Sequence, residues 1–235
     1  MRKVPKEKEW VATNRVSYIL FVKNRIEAFA PGDPIFVSQL GEELSKAYKL
    51  AYKKACASAA VAVKQLIDTA AMPNLRHFGK GIYFLAKQTA FGETGINKEK
   101  LIEAKYLSDG NGYEAGTFMM HKLGLTAWVP AERVFVSNRV QNRVRTDKAL
   151  GIVVRPSKVT IDQENRFYLQ FLDLLSIYDK IPIDAENPYG ILSGIVRTRR
   201  LDYGMLLQFA DRYYDKNTMI HLAHIAGSEV ESVGI

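Results

Sequence analysis

Lys46, Lys49 and Lys53 stand at i, i+3 and i+7. At about 100° per residue, one continuous helix would hold them within about 60° of each other on a single face. Lys54 flanks that face, Lys64 returns to it if the helix runs on, and Tyr48 and Tyr52 are interleaved. A lysine row neutralises successive phosphates and gives an affinity that falls with salt. The same row on an ordinary amphipathic helix is only a solvated face. Ser58, Ala59, Ala60 and Ala62 precede Lys64 and Gln65. Small side chains let a helix approach base edges, and Ser58, Lys64 and Gln65 are candidates for groove contacts. The same alanines would also suit close helix packing. A candidate hairpin supplies Arg76, His77 and Lys80, and Lys80 at its turn would meet phosphate. The candidate phosphate contacts are therefore Lys53, Lys54, Arg76, His77 and Lys80.

Other chemistry-bearing residues are sparser. His221 and His224 are three apart and would share a helix face, but a zinc site needs about four ligands and no Cys pair or third His is near. Cys56 is the single cysteine, so no internal disulfide forms, which suits a reduced, cytoplasmic protein. No phosphate-cradling Walker loop is present, and Gly110, Gly112 and Gly116 lack the dinucleotide spacing. Asp109, Glu114, His121 and Lys122 lie close together, as do Asp162 and Glu164, without a spacing that specifies a mechanism. Arg139, Arg143, Arg145 and Arg155 suit a phosphate or acidic surface. No catalytic, metal or cofactor site is expected. A nucleic-acid-modifying enzyme using Asp109 or Glu114 stays open as an alternative.

The charge is unevenly spread. Of the net +8, residues 1–90 carry 15 Lys and Arg against 7 Asp and Glu, and residues 91–235 carry 18 against 18. That asymmetry points to a basic module for an anionic partner, joined to a neutral module. Double-stranded DNA is the expected partner, and an acidic protein is the alternative. No window approaches about 18 uninterrupted apolar residues, so no membrane span is expected. The mostly charged segment Met1 to Trp10 does not resemble a secretory signal.

These residues need elements to hold them. Tyr18 to Ala30 has helical apolar spacing with a Pro31-Gly32 stop. Ile35-Phe36-Val37 is a short strand, and Ser38 reads as an N-cap. Glu42 to about Ala71 reads as one long helix, or two joined by a polar turn. Leu75 to Leu85 reads as a hairpin with Gly79-Lys80 at its turn. Helix, strand, helix, helix, hairpin is the order of a winged helix-turn-helix, whose third helix enters the major groove. Gln88 to Lys100 reads as a linker. Beyond it, Tyr113 to Leu123 reads as a helix. Arg133 to Ser137, Ile152 to Val154 and Lys158 to Ile161 read as strands. Phe167 to Tyr178, Ile191 to Val196, Leu201 to Tyr214 and Thr218 to Ala226 read as helices. The expected fold class is α+β: a winged helix over residues 1–90 and an α+β domain over residues 100–235.

Two segments carry a resemblance. One runs from Ile35-Phe36-Val37-Ser38 through Val61, Leu66 and Ile67 to Leu75-Arg76-His77-Phe78-Gly79-Lys80-Gly81-Ile82-Tyr83. The other is Gly112-Tyr113-Glu114-Ala115-Gly116, then His121-Lys122-Leu123-Gly124-Leu125-Thr126-Ala127-Trp128-Val129-Pro130, then Val134-Phe135-Val136. Together they resemble the AbiEi-type antitoxins of type IV abortive-infection toxin–antitoxin systems. The resemblance covers roughly residues 20–200. It implies a transcriptional regulator that represses its own operon through the winged helix. It also implies a second domain that counteracts a nucleotidyltransferase toxin, with or without a physical complex.

Overall fold

The computed structural model describes the backbone of residues 7–233 and the side chains of residues 17–228. The chain is α+β and divides into two compact units, Met1–Leu101 and Ile102–Ile235. Among the described residues, no helix is long and apolar enough to cross a membrane.

The first unit begins with α1 (Glu7–Glu27), which places Val22 and Ile26, one turn apart, in the core. The strand β1 (Ile35–Phe36) leads directly into α2 (Val37–Tyr48). This helix starts one residue before the expected Ser38 cap. No side chain caps it; instead the Val37 N–H donates to the Gly81 carbonyl at 2.9 Å. One of the orphan donors of the helix start is thereby paired. The region expected as one long helix or two is two: α2 ends at Tyr48, and α3 spans Tyr52–Asp68. Lys49 sits in the left-handed region at φ 51°, Leu50 N–H returns to the Ser45 carbonyl, and Ser45 Oγ donates to the Leu50 carbonyl at 2.7 Å.

The two helices pack where Gly41 faces Cys56. A methyl group on Gly41 would lie 2.6 Å from Cys56 Sγ and 2.7 Å from its Cα, so only glycine allows this approach. From α3, Ala55, Ala59, Ala62, Val63 and Leu66 are buried. Strands β2 (Leu75–Gly79) and β3 (Ile82–Leu85) form the hairpin, in a sheet of order β1-β3-β2 with antiparallel pairs. Gly79 pairs with Ile82, so the turn is Lys80-Gly81, one residue later than expected. Gly81 takes φ 71°, a backbone open to glycine at little cost. Leu75 and Leu85 anchor the hairpin base in the same core as Ile26, Ile35 and Leu66.

The expected linker is ordered structure. Strands β4 (Gln88–Thr89) and β5 (Gly92–Glu93) make a two-stranded ribbon, and α4 (Lys98–Ile102) follows. Asn97 N–H donates to the Gly32 carbonyl at 2.7 Å, and Lys100 pairs with Asp33 at 2.6 Å, so the segment is tied to the first unit.

The second unit carries a four-stranded sheet of order β6-β7-β9-β8, made of β6 (Gly112–Ala115), β7 (Arg133–Ser137), β8 (Arg145–Asp147) and β9 (Ile152–Arg155). The β7–β9 pair is parallel and the others are antiparallel. Two expectations are corrected. The first half of the expected helix at Tyr113 is β6; only α5 (Thr117–Lys122) is helical, with Gly116 at φ 77° between them. Lys158 to Ile161 is not a strand. The Asn138 side chain accepts from Ile161 N–H and donates to its carbonyl, standing in for a neighbouring strand. Helices α6 (Arg166–Leu175), α7 (Pro188–Arg199), α8 (Tyr203–Tyr213) and α9 (Lys216–Val233) complete the unit. Leu169, Phe171, Leu172, Leu174 and Leu175 of α6 are all buried.

Candidate nucleic-acid interface

The break at Lys49 decides which lysines can act together. Lys46 lies on α2, where its ammonium donates to Glu42 at 2.7 Å; that hydrogen bond holds Lys46 above, and Glu42 below, its ordinary pKa. Lys49 is in the turn. The row Lys46, Lys49, Lys53 is therefore not one helix face. Lys53, Lys54, Ser58, Lys64 and Gln65 are on α3. Its exposed side carries Lys53, Ala57, Ala60 and Lys64 within about 60° of one another, and Lys54, Ser58 and Gln65 as a second row beside them. Val61 stands exposed between the rows. Ser58 is half-buried; Lys53, Lys54, Lys64 and Gln65 are exposed.

Pairing elsewhere in the first unit sharpens this face. Glu27 pairs with Lys23, Asp33 with Lys100, Glu42 with Lys46, Glu43 with Arg25, and Glu93 with Arg76. Among the described residues, no acid lies within ion-pair distance of Lys53, Lys54, Lys64 or Lys80. Asp68, exposed one turn beyond Lys64, is the single acid of α3, so the outer face of the helix keeps a net positive charge, as does the hairpin turn.

Arg76 behaves differently from the other candidates. Its Nε and Nη2 donate to the two Glu93 carboxylate oxygens at 3.1 and 2.5 Å, and its Nη1 donates to the Pro73 carbonyl at 2.7 Å. The guanidinium is already engaged in a bidentate fork. His77 is exposed, and its ring packs against Tyr83 across the hairpin at 5.0 Å. Lys80 projects from the turn, exposed.

The residues with enzymatic potential are engaged in structure. Glu114 accepts from Lys122 Nζ at 2.6 Å and from Arg133 Nε at 2.6 Å. Asp109 sits in a 3₁₀ turn at φ 61°. Asp162 accepts the Glu164 and Asn165 N–H groups. His221 is buried between Tyr178 and Tyr189. One ring nitrogen lies 3.1 Å from Asp179 Oδ2 and the other 3.0 Å from the Tyr189 hydroxyl. Burial, with Tyr189 beside it, pushes the Tyr178 phenol up to about 12.

A polar centre in the second unit had no sequence signal. Asp173 is 2% exposed. It accepts from Tyr113 Oη at 2.6 Å, Arg155 Nη2 at 2.6 Å and Tyr214 Oη at 3.1 Å. Burial first, then the neighbouring Asp173 carboxylate, hold both phenols far above the ordinary range. Lys158 lies over the Tyr214 ring at 3.7 Å, and burial lowers its pKa. Arg155, one of the arginines expected on a phosphate surface, is thus turned to an internal acid. A cavity of about 620 Å³ beside it is bordered by Trp128, Glu132, Arg155 and Lys180. A second, of about 350 Å³, is walled by apolar residues of α5, α6 and α7, including Met119, Phe171 and Ile195. Among the described residues, no group of three or more His, Cys, Asp or Glu is placed to hold a metal.

The Gly124-Leu125-Thr126 segment is a helix stop. Gly124 takes φ 73°, its N–H returns to the His121 carbonyl and that of Leu125 to the Met120 carbonyl, and Leu125 enters the core. No family model, curated protein or solved structure matches the chain.

Proposed function

We propose that the chain is a DNA-binding transcriptional regulator resembling an AbiEi-type antitoxin. The first unit acts as a winged helix-turn-helix on the operator of its own operon. The second unit counteracts a nucleotidyltransferase toxin. The observation that carries the DNA reading is the pairing of charge: among the described residues, acids neutralise Lys23, Arg25, Lys46, Arg76 and Lys100, and leave Lys53, Lys54, Lys64 and Lys80, with Lys49 and Lys87, outside ion-pair distance of an acid. The order of elements and the β1-β3-β2 sheet support the same reading. Lys53 and Lys64 are eleven residues apart, so about 16 Å along the helix axis. That length straddles a major groove about 12 Å wide, with the small residues Ala57 and Ala60 facing its floor. The antitoxin role rests on the motif resemblance.

A gel-shift titration on the region upstream of the gene, at several salt concentrations, tests the reading. Wild type binds this region more tightly than bulk DNA. Lys53→Ala and Lys54→Ala together reduce the slope of log K against log salt by about 1.8, at about 0.9 per phosphate contact. An equal affinity for both DNAs supports a protein partner for the basic face instead. An unchanged slope removes α3 from the interface.

A further inference from the structure

Among the described residues of the first unit, Phe91 is the most exposed large apolar side chain. It sits at the tip of the β4–β5 ribbon and is fully exposed, at 103% of the reference area. Burying a phenylalanine is among the larger gains that a fold can make. A chain that leaves one wholly in water, at a turn that would accept any polar residue, has forgone that gain. Scattered exposed apolar residues are ordinary, so exposure alone decides nothing. What sets Phe91 apart is the rigidity of its mount.

Thr89 Oγ1 donates to the Gly92 carbonyl at 2.7 Å and accepts the Phe91 N–H at 3.2 Å, closing the tip. At the base, Thr94 N–H donates to the Lys87 carbonyl at 2.9 Å and Lys87 N–H donates to Thr94 Oγ1 at 2.8 Å. The Arg76–Glu93 fork ties the ribbon to β2, the outer strand of the hairpin that carries Lys80. A slack loop would fold its phenylalanine back onto the protein. This one is held out.

The tip is also slender. Ala90 and Gly92 flank the ring, and a methyl group on Gly92 would touch nothing within 4 Å. A minor groove is about 6 Å wide, and apolar wedges that enter it part the base stack and kink the duplex. Lys87 at the foot of the ribbon, and Lys80 at the far turn of the hairpin it is braced against, have no acid within ion-pair distance among the described residues. That charge favours a nucleic acid over an apolar protein pocket.

We propose that the ribbon is a second DNA-contacting arm, in which Phe91 enters the minor groove as a wedge between base pairs and the Arg76–Glu93 ion pair sets its reach. The inference rests on the DNA-binding reading above. It makes Arg76 a positioning residue rather than a phosphate contact. Because the arm is ordered before binding, little conformational freedom is lost on insertion.

The test uses the full chain and a duplex from the upstream region, with a donor and an acceptor dye on its two ends. Saturating wild type raises energy transfer, reporting a bend. Phe91→Ala abolishes most of that rise and weakens binding about 5- to 20-fold, within the range for loss of one base–aromatic contact. Its salt slope stays that of wild type, since no charge is lost. Glu93→Gln is the decisive variant. It removes an acid, so a purely electrostatic surface would bind more tightly with the bend unchanged. The proposal requires the opposite, a smaller bend. Phe91→Ala that bends and binds as wild type overturns the wedge and leaves DNA binding intact. Glu93→Gln that binds more tightly with a full bend overturns the brace. Wild type that does not bind the duplex overturns the DNA reading and the wedge with it. Melting followed by circular dichroism checks that both variants are folded.

Discussion

Removing the Asp173 carboxylate is expected to destabilise the second unit by about 4 kcal/mol. The side chain is 2% exposed and accepts three hydrogen bonds, from Tyr113, Arg155 and Tyr214. Breaking a buried ion pair from one side costs about 3–5 kcal/mol. Here the Arg155 side chain is 29% exposed and can turn toward water, so that loss is nearer 2–3 kcal/mol. Besides Asp173, the Tyr113 hydroxyl has the Tyr214 oxygen beside it, a weaker acceptor than the carboxylate, and a buried donor that loses its charged acceptor costs about 1–3 kcal/mol. Tyr214 keeps the Leu169 carbonyl at 3.2 Å and adds little. Urea unfolding, followed by circular dichroism and by Trp128 fluorescence in a Trp10→Phe background, measures the loss for Asp173→Ala. Tyr113→Phe alone removes the donor together with its need and costs about 1 kcal/mol. The double variant is less destabilised than the sum of the singles by about 1–2 kcal/mol, because that donor no longer exists. A loss below about 1 kcal/mol for Asp173→Ala, or strict additivity in the cycle, would refute the reasoning.

Three further outcomes follow from the geometry. Gly41→Ala forces α2 off α3 and lowers stability by about 1–3 kcal/mol in thermal melts; Cys56→Ala does not rescue it, because the added methyl also meets the Cys56 backbone. In alkaline absorbance titrations, Tyr113→Phe and Tyr214→Phe leave the phenolate signal at pH 10 unchanged, because both phenols resist ionisation while folded. Since the folded values are raised, their contribution to stability is present below about pH 10 and lost as pH rises through the folded values. Burial raises the Asp147 carboxyl, but hydrogen bonds from Lys105 and Tyr106 outweigh it and leave the pKa lowered. That contribution is present above about pH 4 and lost as pH falls through the folded value, so the stability gap between wild type and Asp147→Asn closes in denaturant titrations at low pH.

The elements that could be read from residues are those whose signals are local. Pro31-Gly32 ends α1 nearby, Gly81 permits the hairpin turn, and the apolar spacing from Phe167 onward builds α6. The break at Lys49 has no such signal. Lysine in the left-handed region is locally unfavourable, and the turn is held by Ser45 and Leu50, which read as ordinary helix residues. At Tyr113 the apolar spacing suits a helix, yet Gly112 lies where a side chain would strike the Val136 and Tyr106 carbonyls, a condition that sequence does not display. The strand-like run at Ile161 finds its partner in one Asn138 amide, 23 residues away. For the interface, residue type located the α3 lysines, but which cations stay open depends on acids brought in by the fold. Arg76 found Glu93, seventeen residues on and across the ribbon. Phe91, between Ala90 and Gly92 in a stretch read as linker, offered only its oddity as an aromatic among small residues.

The approach of Gly41 to Cys56 has a practical side. Cys56 is the only thiol in the chain, and so the natural handle for a maleimide dye or a spin label. Its sulfur points into a gap too narrow for a methyl group. Any adduct there would act as a wedge driven between α2 and α3, displacing the lysine-bearing face. Labels for binding measurements therefore belong on the DNA, or on a cysteine introduced elsewhere in a Cys56→Ala background. Conversely, slow labelling of Cys56 in the folded protein, accelerating in denaturant, would be a simple clock for the parting of the two helices.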